Sequence, residues 1–120
     1  MSTIVYSQSM DNLTYSVEYY VIPSGSCPIE EWKSRLDKSV RARVDARLDR
    51  IEFGNFGDAK HLEGGIYELR FKFGPGYRIY YALDGQTIVL LLNAGDKSTQ
   101  VTDIEKAKEL WNNYRSEYHA

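Results

Sequence analysis

The sequence predicts an α+β single domain: a mainly antiparallel sheet of about four strands, an N-terminal helical hairpin and a C-terminal helix, in the order β-α-α-β-β-β-α. Three observations carry that prediction. From Ile66 to Phe73, apolar residues alternate with charged ones at the period of a half-buried strand. Asp84-Gly85, a strong two-residue hairpin signal, joins two β-prone runs. Ile29, Trp32, Leu36, Val40, Val44, Leu48 and Ile51 recur at helical spacing.

Taken in order, residues 1–13 are mostly polar and are read as a flexible N-terminal arm, which leaves 14–120 as the domain. Thr14 to Ile22 is rich in tyrosine and β-branched residues and reads as the first strand, ended by Pro23-Ser24-Gly25-Ser26. Pro28 suits the first position of a helix, with Glu30 and Glu31 complementing its dipole. A break near Asp37 to Ser39 divides the helical stripe into a hairpin or kinked pair. Gly54-Asn55-Phe56-Gly57-Asp58 ends it, and a loop is expected as far as Gly64-Gly65.

A tight Gly74-Pro75-Gly76 turn would pair Phe73 with Tyr77, placing Lys72 opposite Arg78 and Arg70 opposite Tyr80. The continuous apolar run after Thr87 predicts an interior strand to Leu92, followed by a loop over Asn93 to Thr99. A last helix carries Ile104, Ala107, Leu110 or Trp111, and Tyr114, with Thr102 and Glu105 matching a capping-box pattern.

At 120 residues, one core is expected. The net charge of -2 argues against a broadly basic nucleic-acid binder, but a local basic patch can still supply phosphate contacts. Cys27 is alone and cannot form an intramolecular disulfide, and the N-terminus lacks the order of a secretory signal, so a cytoplasmic protein is expected. The longest aliphatic run, Ile88 to Leu92, is too short to span a membrane.

The residues most suggestive of chemistry are Arg70, Lys72 and Arg78, on one strand face with Tyr80 among them. Each alone reads as part of a solvated surface. Together, cations around an aromatic ring suit single-stranded RNA, the ring stacking a base and the cations holding phosphate. Lys97 adds a cation at the rim. On the helices, with the helix unbroken, Asp37 stands at i,i+4 spacing from both Lys33 and Arg41, and Asp45 at that spacing from Arg41, which predicts a salt-laced face. Arg43 and Arg47 share a face without such a partner and are expected at RNA phosphates. His61 and Cys27 have no metal-ligand spacing, and no metal site is expected.

The segments "YELRFKFGPGYRIYY", "LLNAGDKSTQ" and "RLDRIEFGNFGDAKHLEGG" resemble the RelE/ParE toxin superfamily, most closely its HigB-like, or addiction module killer protein, branch. The resemblance covers nearly all of residues 17–115. It implies a RelE-like fold and the toxin of a type II toxin–antitoxin system: an endoribonuclease that inhibits translation by cleaving mRNA on the ribosome and is neutralised by a cognate antitoxin. By position it implies catalytic roles for Arg70, Lys72, Arg78 and Lys97, with 2′-hydroxyl attack needing neither a metal nor a small-molecule cofactor. Lys72 would act as general base where neighbouring cations lower its pKa. Some RNase members have a tyrosine near the start of the final helix where this chain has Asp103 or its neighbours, which leaves the general base unassigned. Other members inhibit DNA gyrase without catalysis, so a ParE-like gyrase inhibitor and an inactive interaction protein remain alternatives.

Overall fold

The computed structural model describes residues 14–119; the arm expected over 1–13 lies outside them. Five strands, β1 (Ser16–Tyr19), β2 (Ala59–His61), β3 (Tyr67–Arg70), β4 (Arg78–Asp84) and β5 (Ile88–Gly95), form one sheet in the order β1-β5-β4-β3-β2. All pairings are antiparallel except β1 with β5. The helices are α1 (Pro28–Ser34), α2 (Lys38–Glu52) and α3 (Gln100–Tyr118). This is the predicted α+β architecture with one strand added. That strand, β2, escapes hydrophobic patterning because all three of its residues are exposed; it belongs to the sheet through backbone pairing with β3.

Two cores sandwich the sheet. On one face, Ile29 and Trp32 of α1 and Val44, Leu48 and Ile51 of α2 pack on Leu69, Ile79, Tyr81, Val89 and Leu91. On the other, Ala107, Leu110 and Trp111 of α3 cover Tyr80, Ala82, Leu90 and Leu92. Each fully buried side chain of this size contributes about 1.5–3 kcal/mol. The unbroken run in β5 follows from this arrangement, since both of its faces lie under helices.

The helical hairpin is a true break. Arg41 donates from Nε to the Lys33 carbonyl (3.1 Å) and from Nη2 to that of Leu36 (3.2 Å), satisfying acceptors at the end of α1. The expected i,i+4 pairs are replaced by an inter-helix bridge from Lys33 to Asp45 at 2.6 Å. The reason is that Asp37 is the residue preceding α2 rather than part of a continuous helix.

Two boundaries shift in ways that matter for the site. β5 runs to Gly95, three residues into the expected loop, and a short 3-10 turn, Lys97–Thr99, follows. Asp96 caps that turn, accepting from the Ser98 backbone at 2.8 Å, in a capping box completed by Thr99. The box expected at Thr102 and Glu105 is not the start of α3: Thr102 already lies in the first helical turn, its hydroxyl donating to the Thr99 carbonyl.

Candidate nucleic-acid interface

Strands β3 and β4 are joined by a wider turn than Gly74-Pro75-Gly76 alone would make. The Phe71 amide bonds the Tyr77 carbonyl, and Gly74 and Gly76 both take positive φ (60° and 78°), which only glycine adopts cheaply. A side chain on Gly74 would strike the Tyr77 ring, which lies edge-on to Trp32 in the first core. Drawing Tyr77 into that core moves the register by two residues, from Lys72 to Arg70 opposite Arg78. Arg70, not Lys72, therefore stands opposite Arg78, and Glu68 stands opposite Tyr80. The shift keeps Arg70 and Arg78 on a common face. It removes the Lys72–Arg78 pairing on which a general-base role for Lys72 rested.

Like charges directly opposite across a sheet cost roughly 0.2–1 kcal/mol. Here each arginine has its own carboxylate. Arg70 Nη2 donates to Asp58 Oδ1 at 3.0 Å, and Arg78 Nε lies 3.5 Å from Glu68 Oε2. The hydrogen bond from Arg70 is the main reason the Asp58 carboxyl is held below the usual carboxylate range, with the Arg70, Lys72 and Arg47 charges adding to it.

A folded-state pKa below the unfolded value, about 3.9 for aspartate, means Asp58 contributes stability that is fully present above that value. The contribution is lost as pH falls through the depressed one. Asp58→Asn is therefore expected to flatten the fall in stability below about pH 4. Urea melts of both proteins between pH 3 and 7 check this; parallel curves would refute it.

Tyr80 is not a stacking platform. It is 0% exposed, covered by α3, and donates to Glu68 Oε2 at 3.2 Å. Burial, then the Glu68 charge, push its phenol far above the ordinary tyrosine value. The alternation had placed it correctly on the second face. What alternation cannot show is that a helix closes over that face.

Lys72, exposed, instead lies with Arg70 along a groove of about 520 Å³ between α2 and the end of β3. Arg43, Arg47 and Arg50 line its other wall, and Asp58 is the one carboxylate among the lining residues. Helix α2 sorts its charges by face, since Asp45, Asp49 and Glu52 line a separate cleft with β1 residues Val17 and Tyr19.

The two α2 arginines singled out from the sequence differ sharply. Arg43 is exposed, with its guanidinium 3.6 Å from the centre of the Phe73 ring. Arg47 is tied down: Nε and Nη2 donate to the Phe56 carbonyl (3.3 and 3.0 Å), Nη2 also to that of Asp58 (3.1 Å), and Nη1 to that of Arg70 (2.6 Å). It is a clamp between helix, loop and strand, which leaves Arg43 as the more accessible of the pair.

At the other end of the pair, Arg78 sits beside Gly76 and Lys97. Its Nη1 donates to the Gly76 carbonyl at 2.7 Å, and the Lys97 amide approaches the Pro75 carbonyl. A side chain on Gly76 would meet both Arg78 Nη1 (3.1 Å) and Lys97 Cβ (3.4 Å). Lys97 is exposed and forms no ion pair among the described residues. Arg70 thus links two basic regions, the groove with Lys72 and Arg43, and the Arg78–Lys97 corner.

Asp103 faces this corner without being free for chemistry. Thr99 Oγ1 donates to its Oδ2 at 2.5 Å, and the carboxylate packs directly on Gly95, the residue paired with Arg78. A methyl group on Gly95 would overlap that carboxylate and stand 2.6 Å from the Thr99 hydroxyl. Gly95→Ala should therefore push the start of α3 off the sheet and destabilise by about 1–3 kcal/mol. Thermal unfolding checks this; an unchanged Tm would show that α3 is not seated there.

His61 stacks on Tyr67 at 4.5 Å in the exposed β2 region, and no group of three or more metal-ligating side chains is found among the described residues. Among those residues, no helix is long and apolar enough to cross a membrane.

The solved structure of the E. coli toxin RelE, a double arginine-to-alanine mutant in the free state, has a similar fold. It is 20% identical, with a TM-score of 0.53 over 76% of this chain and 93% of that one. A protein of Haemophilus influenzae described as uncharacterized is 46% identical over 82 residues, which make up 68% of this chain and 83% of that one. The model of the phage-derived protein Gp49-like family (DUF891) matches residues 31–112, which run from α1 through β3 and β4 into α3 and include every basic residue of the interface. The chain belongs to this Gp49-like family.

Proposed function

We propose that this protein is the toxin of a type II toxin–antitoxin system, of the HigB-like kind, which cleaves mRNA on the ribosome and is neutralised by a cognate antitoxin. The observation that carries the reading is the opposed Arg70–Arg78 pair, with Lys72 and Lys97 exposed beside it. The RelE-like fold and the Gp49-like family support it.

Cleavage by a neighbouring 2′-hydroxyl requires in-line placement of its oxygen and charge stabilisation at the phosphorus. The 2′-oxygen bonds to phosphorus, the bond to the 5′-oxygen breaks, and a proton moves from the former to the latter. A cyclic phosphate and a 5′-hydroxyl end result. In this reading Arg78 and Arg70 hold the non-bridging oxygens, which a guanidinium grips at two points while staying charged. Lys72 and Lys97 carry the adjoining phosphates, and Arg43 extends the track along the groove. Base stacking is left to the ribosome, since Tyr80 is enclosed.

Mapping RNA 5′ ends after induction in growing cells tests the proposal. New 5′-hydroxyl ends within translated frames are expected. Growth arrest with intact mRNA and damaged or unreplicated DNA would replace it with the gyrase-inhibitor reading. No arrest in the absence of a partner would leave an inactive interaction protein.

A further inference from the structure

Glu68 is the one carboxylate of the sheet sealed from solvent, 1% exposed, on the face covered by α3. Its Oε2 accepts from the Tyr80 hydroxyl at 3.2 Å and from Gln100 Nε2, in the first turn of α3, at 2.8 Å. The same oxygen lies 3.5 Å from Arg78 Nε. That Nε is itself buried and makes no hydrogen bond among the described residues, so Glu68 is its only close counter-charge. The other tether on the guanidinium is Nη1 on the Gly76 carbonyl at 2.7 Å.

A sealed ion pair is a poor device for stability alone, because apolar residues of similar volume serve at least as well at many such sites. Glu68 is also too enclosed to touch a substrate. Its two neutral donors, one from β4 and one from α3, fix the carboxylate; the carboxylate in turn fixes the Nε edge of Arg78. With Nη1 donating to the Gly76 carbonyl and Nε facing Glu68, the guanidinium is held in one orientation, and Nη2 with the second N–H of Nη1 is left for a two-point grip on an incoming anion.

We infer that Glu68 is a positioning residue that locks the Arg78 guanidinium in the geometry for gripping phosphate, with Tyr80 and Gln100 holding the carboxylate in place. The inference rests on the proposed function for its consequence in catalysis, but the coupling itself can be measured without activity.

Glu68→Gln keeps the shape and an oxygen acceptor for Tyr80 and Gln100 while removing the charge that faces Arg78. With a model mRNA on stalled ribosomes, kcat is expected to fall roughly 10- to 100-fold, the scale of loss when a catalytic group loses its placement, with KM little changed. Tyr80→Phe, which removes only the phenol donor, is the milder second variant and should lower kcat roughly three- to tenfold. In parallel, the Arg78 Nε–H resonance, followed by NMR with 15N-labelled arginine, should exchange slowly in the wild type and quickly in Glu68→Gln. A wild-type kcat in both variants, or an Arg78 Nε–H as protected in Glu68→Gln as in the wild type, overturns the inference whatever happens to Tm. A wild-type protein that cleaves no RNA refutes the proposed function instead, and the exchange measurement then decides the Glu68–Arg78 coupling alone.

Discussion

Arg78→Ala is expected to lower RNA cleavage by about 10²–10³-fold, the loss seen when a single pre-placed donor is removed from a developing oxyanion. Among the basic residues proposed to hold phosphate at the reacting centre, Arg78 is held on two sides, by Glu68 and by the Gly76 carbonyl. It meets the transition state already oriented, whereas the exposed Lys72 and Lys97 must be ordered on binding. Arg78→Lys restores the charge without the planar two-point grip and should recover only part of the rate. Truncation to alanine also strands the Glu68 charge in the sheet, so the variant must be assayed well below its own unfolding transition. Single-turnover cleavage of mRNA in a translating extract provides the measurement. Equal rates for Arg78→Ala and wild type would remove this residue from the mechanism.

Arg47→Ala should cost about 3 kcal/mol of stability, a drop in Tm on the order of 10 °C for a domain of this size. The guanidinium makes four hydrogen bonds to three carbonyls, and it lies 4.8 Å from the centre of the Phe71 ring. Alanine leaves those carbonyls short of donors and unpins the loop before β2 from both α2 and β3. Arg43, four residues earlier on the same helix, is held among the described residues by its stacking on Phe73 alone, worth about 0.5–1 kcal/mol at an exposed site. Arg43→Ala should therefore barely move the melting curve. Differential scanning calorimetry of the two variants separates clamp from surface cation, and equal Tm values would contradict this assignment.

The contrast between these arginines marks where sequence reading stops. Helical spacing put Arg43 and Arg47 on one face correctly, and strand alternation put Arg70, Arg78 and Tyr80 on a common side of the sheet. Periodicity reports faces, however, and not what lies over them. Alternation alone leaves Tyr80 facing solvent because nothing in β4 indicates that α3 closes the second face, although the unbroken apolar run Ile88 to Leu92 in β5 is a sign that both sides are covered. The hairpin register turned on whether Tyr77 ends a tight turn or enters the core beneath Trp32, a tertiary preference that Gly74-Pro75-Gly76 permits but does not dictate. Strand β2 carries no pattern because its residues bury nothing. The enclosed place of Glu68, opposite Tyr80, follows from that same register.

The parallel pairing of β1 with β5 has a temporal consequence. Ser16 meets Ile88, so the first described strand finds its place only beside the last one made. Closing so long a loop is paid in chain entropy before any contact rewards it, which makes this docking a slow, late event in folding. During synthesis, Val17 and Tyr19 wait for a neighbour that every other strand precedes, and the nascent molecule cannot complete its sheet until β5 has been made.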